Sequence, residues 1–283
     1  MLKPIMLKKN SKYSFFLKII QNAITKTESR IIRDFMELGD LQVSIKGTND
    51  FVTNADKRSE EIIYNEISKK TRGMDVSFLM EESGLIGNKN AEFCFIIDPI
   101  DGTFNFMHGI SYFCTSVAMM HNQNGISQIV AGIIHSPITR ETFTAEKNIG
   151  AFYIDLNTTI HKITTSAKKN LRHSMIATSV SSDSIRHHQL IQRLIKNNAR
   201  IRSMGSSALD LAYLALGRYE AVISPCLHQW DYAMGFLLVL EAGGIVNEHQ
   251  RSEAPNTNEI LATNSKEIYN AIKNLEDKDK NLS

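Results

Sequence analysis

An apolar run, Phe93-Cys94-Phe95-Ile96-Ile97, leads straight into Asp98-Pro99-Ile100-Asp101-Gly102-Thr103. Ionised carboxylates are costly at the end of a buried strand unless they are paired or bound to metal. Pro99 fixes the backbone between the two aspartates, and Gly102 permits a tight turn. Such a turn places Asp98, the Ile100 carbonyl and Asp101 around one point, and all three are hard oxygen ligands of the kind Mg²⁺ takes. The Thr103 hydroxyl and the next backbone N–H groups face the same point, and a helix starting there would offer phosphate an anion site. An isolated Asp-Gly reads as a turn after a strand. The six-residue string as a whole argues for metal and phosphate chemistry.

Three more acidic positions extend the pattern. Ser77-Phe78-Leu79-Met80 runs into Glu81-Glu82-Ser83-Gly84, Trp230-Asp231 opens an apolar helix, and Asp56 closes Val52-Thr53-Asn54-Ala55-Asp56. Taken singly, these read as a solvated loop and helix-start residues. Converging on one pocket, they would repel one another. Two or more divalent cations would remove that repulsion, clamp a phosphate, activate water and stabilise the leaving oxygen.

The elements that must position these groups follow from apolar spacing. Residues 13–38 read as a helix stopped by Gly39, and 54–70 as a second helix capped by Asn54. Short apolar runs at 76–80, 93–97, 112–120, 129–134, 142–146 and 151–154 read as strands, several buried on both faces. The second half alternates: helix 183–197, strand 199–203, helix 206–217, strand 219–223, helix 231–242, strand 259–263 and helix 264–275. This order indicates a layered α/β or α+β sandwich. We read 1–283 as one unit of two fused halves, 13–155 and 156–276, with a fraying polar tail over 276–283.

Composition narrows the class. The chain has 283 residues, 42% apolar and 22% charged, with a formal net charge of +2. These values fit an ordinary globular protein and argue against a disordered chain or a strongly basic nucleic-acid binder. Cys94, Cys114 and Cys226 form no CxxC pair, so neither a disulfide framework nor a thiolate zinc site is expected; all three read as reduced core residues. Lys3, Lys8, Lys9 and Lys12 precede an apolar stretch that Lys18 interrupts, which does not make a secretory signal. No window approaches the ~18 apolar residues of a membrane span. The expectation is a soluble, cytoplasmic protein.

Four blocks carry a resemblance: Val52 to Asp56, Glu81-Glu82-Ser83, Asp98 to Phe106, and Trp230-Asp231 with Glu241-Ala242-Gly243-Gly244. From about residue 15 to 275 the chain resembles the inositol monophosphatase family, within the lithium-sensitive, Mg²⁺-dependent phosphatases. The resemblance implies an αβαβα sandwich of the inositol monophosphatase and fructose bisphosphatase type, usually a homodimer. It implies two or three Mg²⁺ ions held by Glu81, Asp98, the Ile100 carbonyl, Asp101 and Asp231. Thr103 would pair with Asp56 to activate water, with Glu81 also in the catalytic set. The Gly102 and Thr103 N–H groups would hold the phosphate, with Lys46, Ser207 and Ser224 at the substrate. Lys46 matches a mobile-loop lysine, in a loop that is one residue shorter here.

Phe104 favours the inositol branch, because relatives acting on adenosine bisphosphate or histidinol phosphate usually carry lysine there. Two positions depart from the family pattern. Ser224 stands where inositol-directed members have glutamate, and Ser206-Ser207 stands where Thr-Ala is more usual. The implied activity is hydrolysis of inositol-1-phosphate or a related sugar or polyol phosphate, with broad substrate use. The alternatives are fructose bisphosphate, adenosine bisphosphate or histidinol phosphate as substrate, or a non-catalytic role as a partner of the transcription machinery or of RNA. The last would need a basic surface such as Lys3, Lys8, Lys9 and Lys12, or Lys168-Lys169-Arg172.

Overall fold

Apolar residues recur at helical spacing from Phe16 to Phe35, and α1 (Ser14–Leu41) forms over them, burying Phe16, Ile20, Ala23, Ile24 and Ile31. α2 (Ile45–Lys70) packs against it. The computed structural model describes residues 11–41, 45–179, 185–247, 250–251 and 258–276, without the side chains of 38–41, 45–53 and 250–251. Two expected helix limits are corrected. α1 runs through Gly39, and α2 begins before Asn54, so Asn54 lies inside the helix and does not cap it. Propensity and capping residues are weak priors against the packing of two long helices. Lys3, Lys8, Lys9 and the tail 277–283 lie outside the described residues.

The first sheet is built from β1 (Val76–Met80), β2 (Gly84–Ile86), β3 (Phe93–Asp101), β4 (Cys114–Gln123), β5 (Ile126–Ser136), β6 (Glu141–Glu146), β7 (Gly150–Ile154) and β8 (Ile160–Lys162). Its order is β2-β1-β3-β4-β5-β6-β7-β8. Only β1 and β3 run parallel; the other pairs are antiparallel. A short helix, α3 (Thr103–Met107), links β3 to β4. The chain continues through β9 (Met175–Thr178), α4 (Ile185–Lys196), β10 (Arg200–Arg202), α5 (Ser207–Ala215) and β11 (Ala221–Leu227). It ends with α6 (Gln229–Glu241), β12 (Ile245–Val246), β13 (Gln250–Arg251), β14 (Asn258–Thr263) and α7 (Lys266–Glu276). The second sheet runs β10-β9-β11-β14-β12, with β13 also paired to β14.

Alternation along the strands assigns the layers. Phe95 and Ile97 point from β3 toward α1 and α2, joining Ile20, Ile24, Ile63 and Ile67. Ile96, between them, points the other way, into a core shared with Leu211 of α5, Met234 and Leu238 of α6, and Val222, Ile260 and Ala262 of the second sheet. Ala221, Ile223 and Leu261 face outward against Leu190 of α4 and Ile268 and Ile272 of α7. The stack is therefore α1/α2, sheet, α5/α6, sheet, α4/α7, which is the expected αβαβα sandwich. Among the described residues no helix is long and apolar enough to cross a membrane.

The middle helix layer lies unusually close to its neighbours. A Cβ on Gly132 of β5 would collide with Met234 Sδ and the Val117 carbonyl, and one on Gly235 of α6 would sit 2.5 Å from Leu211. The Val117 oxygen is sheet backbone and cannot swing aside. Gly132→Ala is therefore expected to destabilise the fold by about 1–3 kcal/mol, the usual cost of overpacking. Urea unfolding would measure it, and an unchanged midpoint would show that the layers can spread.

Candidate metal centre

The parallel register pairs Met80 with Ile97. The two strands therefore end side by side, and the Glu81 N–H donates to the Ile97 carbonyl at 3.2 Å. Sequence reading ends β3 at Ile97; in the structure it continues through both aspartates to Asp101, with its register to β4 shifting between Asp98 and Asp101. Pro99 falls in this bulge, where its missing N–H breaks no ladder bond, and its carbonyl accepts the Thr115 hydroxyl at 2.8 Å. Asp98 and Asp101 are thereby held almost fully buried. Asp231 arrives from the first turn of α6, where its carboxylate accepts the His228 N–H at 2.7 Å. One oxygen each of Asp98, Asp101 and Asp231 falls in a group whose members all lie within 4.8 Å of one another.

The partners of these carboxylates differ. Asp101 accepts the Ser206 hydroxyl at 2.5 Å, the Ala208 N–H at 2.8 Å and the Ser207 N–H at 3.3 Å, all from the start of α5. Among the described residues, the buried Asp98 Oδ1, Glu81 Oε2 and Asp56 Oδ1 find no hydrogen-bond partner. Buried polar atoms are nearly always satisfied, so three orphaned acidic oxygens around one cluster call for a missing partner. Hard, anionic oxygens at this spacing fit a divalent cation of the Mg²⁺ type.

Electrostatics agrees with that fit. Burial, reinforced by the charges of Glu81, Asp101 and Asp231, pushes the Asp98 carboxyl well above the usual range. Asp101 is also raised by burial, and its bonds from Ser206, Ala208 and Ser207 oppose the rise. Burial and the Asp101 charge push Asp231 up to about 8. Burial and the Glu81 charge push Asp56 up to about 8, and burial raises Glu81 to about 7.

A pH dependence follows. Asp56 and Asp231 start from 3.8 in the unfolded chain and reach about 8 in the fold. Between those values the metal-free fold holds protons that the unfolded chain has released. Its stability is therefore greatest at low pH and falls as pH rises, by at most about 1.4 kcal/mol per pH unit per group. Melting in a chelator should give a Tm that drops between about pH 5 and pH 8, and Mg²⁺ should remove most of that slope. A metal-free Tm that rises over this range would contradict the burial of unpaired carboxylates.

The other sequence-predicted residues fall as follows. Gly102, at φ +98°, caps α3, and a Cβ there would press on the Tyr112 and Gly205 carbonyls at 3.1 and 3.2 Å. The Thr103 hydroxyl donates to the Ile100 carbonyl at 3.0 Å, not to Asp56. Asp56 is buried within α2, close enough for Glu81, Glu82 and Glu60 to raise its pKa. Ser224 is buried in β11 and shares a hydrogen bond with the Ser179 hydroxyl. Lys46, expected on a mobile loop, instead lies in α2, and its side chain is outside the described residues. Near the site, Asp210 accepts the Tyr112 hydroxyl at 2.8 Å, and His228 stacks on Trp230. The sequence assigns Ser207 to the substrate and marks Ser206 only as a departure from the family pattern, so the Asp101 donors Ser206 and Ala208 are new; a serine ahead of an apolar helix is an N-cap signal, and Ser206 does cap α5. Cys226 is exposed and corrects the expectation that all three cysteines are buried; Cys94 and Cys114 are.

The sequence profile described as the inositol monophosphatase family matches residues 13–279. The chain is 36% identical over 239 residues to an inositol-1-monophosphatase of Mesorhizobium japonicum, covering 83% of this chain and 86% of that protein. It is 35% identical over 234 residues to a Nus factor SuhB of Pasteurella multocida, covering 81% and 84%. Among solved structures, the extragenic suppressor protein suhB from Bartonella henselae superposes with a TM-score of 0.78 at 36% identity, over 93% of this chain and 98% of that one. An inositol monophosphatase from Anabaena superposes with a TM-score of 0.74 at 28% identity, over 92% and 94%.

Proposed function

The chain belongs to the inositol monophosphatase family and is a phosphoric monoester hydrolase, and from that premise we propose that it hydrolyses inositol-1-phosphate or a related small sugar or polyol phosphate with Mg²⁺. The observation that carries the metal is the cluster of buried Asp98 and Asp101 with half-buried Asp231, beside the unpartnered Asp98, Glu81 and Asp56 oxygens. Glu81, Asp98, the Ile100 carbonyl, Asp101 and Asp231 would hold two or three ions. Divalent cations in such a site supply Lewis acidity toward phosphoryl oxygens and acidify water.

The chain's own groups supply the rest. Asp56, buried and without a partner on Oδ1, accepts the proton of the attacking water. Thr103 turns its hydroxyl from Ile100 to Asp56 to orient that water. The Gly102 and Thr103 N–H groups hold the phosphate, with Lys46 and Ser207 beside it. As in its family, the enzyme works in the cytoplasm as a lithium-sensitive homodimer. A panel of phosphate esters assayed with and without Mg²⁺ tests the reading. Hydrolysis of inositol-1-phosphate that stops in chelator supports it; a strong preference for fructose bisphosphate, adenosine bisphosphate or histidinol phosphate would reassign the substrate.

Ser224 bears on selectivity. Serine is too short to span the gap that a glutamate crosses to a ring hydroxyl, and a site lacking such a contact discriminates weakly. Inositol-1-phosphate and glycerol-2-phosphate should differ only modestly in kcat/KM, and Ser224→Glu should widen the ratio. A wild-type ratio in the hundreds that the substitution leaves unchanged would place selectivity elsewhere.

A second reading rests on the relatives named Nus factor SuhB: the chain would also partner the transcription machinery. A deletion strain rescued by the Asp98→Asn variant would favour that reading.

A further inference from the structure

We propose that Asn105 is a positioning residue for the metal centre, acting on Asp101 by fixing the α5 turn that reaches it from across the junction of the two sheets. This rests on the metal reading above. Asp101 belongs to β3, and apart from the Cys114 thiol of β4, which donates to it at 3.8 Å, the groups that donate to it belong to the turn leading into α5. Something must therefore fix that turn relative to β3, and Asn105 does so. Its side-chain amide spends both hydrogens on backbone carbonyls, donating to Tyr112 at 2.7 Å on the β3–β4 side and to Met204 at 2.7 Å at the head of the turn.

The fit is close on the far side as well. Gly205 has φ +84°, and a Cβ there would lie 3.0 Å from Asn105 Nδ2. Its carbonyl in turn limits the space at Gly102. Asn105 thus ties the turn that carries the Asp101 donors to the segment leading into β4, whose Cys114 pairs with Asp101. Without it, the Met204 carbonyl is released, and Ser206, Ser207 and Ala208 are no longer held at hydrogen-bond distance from the carboxylate. Asp101 then loses its orientation toward Asp98 and Asp231.

The test is the Mg²⁺ concentration that gives half of the maximal thermal shift, measured without substrate on the full chain. Asn105→Ala should raise that midpoint about tenfold, and activity lost at low Mg²⁺ should return at high Mg²⁺. Asn105→Leu, which has the same number of side-chain heavy atoms but no donors, should do the same and serves if the alanine variant does not fold. Tyr112→Phe removes a different bridge between the two units, the hydroxyl bond to Asp210. It should lower the metal-free Tm while leaving the midpoint within about twofold. Asn105 variants that lose metal-free stability with an unmoved midpoint would overturn the proposal, leaving Asn105 a structural tie only. A wild type without any Mg²⁺-dependent shift would instead sink the metal reading on which it rests.

Discussion

Asp98→Asn and Asp101→Asn are each expected to lower turnover by ~10³-fold or more, because a metal site supplies several kcal/mol of charge stabilisation and each 1.36 kcal/mol is tenfold in rate. The two should separate in their effect on the metal-free fold. Asp98 is buried with Oδ1 unpartnered, and three acidic neighbours raise its pKa. Replacing it with a neutral amide relieves repulsion and costs no hydrogen bond to that oxygen, so the metal-free Tm should hold or rise. Asp101 accepts three donors from the α5 turn. An asparagine there puts an NH₂ where an acceptor is needed, so its metal-free Tm should lie below that of Asp98→Asn. Mg²⁺ should raise the Tm of wild type much more than that of either variant. Wild-type turnover in either purified variant at saturating Mg²⁺ would remove that residue from the site.

Asp56→Asn should lower kcat by ~10²–10⁴-fold, the usual contribution of a positioned proton acceptor, with a much smaller change in KM. Thr103→Ala should follow it in direction. A competing role for Thr103 is visible in the fold: its hydroxyl closes the turn by donating to the Ile100 carbonyl at 3.0 Å. If that bond is its whole contribution, the variant keeps its activity and loses about 1 kcal/mol of stability. Measuring kcat and urea stability on one preparation separates the two. Combining both substitutions adds a check. Residues that act on the same proton are strongly non-additive, so the double variant should be little worse than Asp56→Asn alone.

Some of this was written locally in the chain. Two aspartates at the end of an apolar run, separated by a proline and followed by glycine, are unfavourable unless something binds there, and that needs no knowledge of the fold. The helices α1, α4 and α7 and most strands were legible because one-sided or two-sided burial leaves a periodic trace. The short strands β2, β8 and β9 left almost none: three or four residues are too few to show a period. Asn54 and Gly39 misled, since local capping and stopping signals are worth less than the packing of α1 on α2.

What the chain alone could not settle is which groups meet. Glu81 stands beside Asp98 because β1 and β3 pair in parallel with Met80 opposite Ile97. A register is a property of two strands, invisible in either one. The Asp101 donors lie more than a hundred residues away, in the Ser206–Ala208 turn. Whether a carboxylate is left bare, like Asp98, or held by three donors, like Asp101, depends on such long-range approach. Residue types and their spacing announced the chemistry, but only the layered fold decided the burial and mutual distance of the charges, and those two quantities set the pKa values and the pull for a cation.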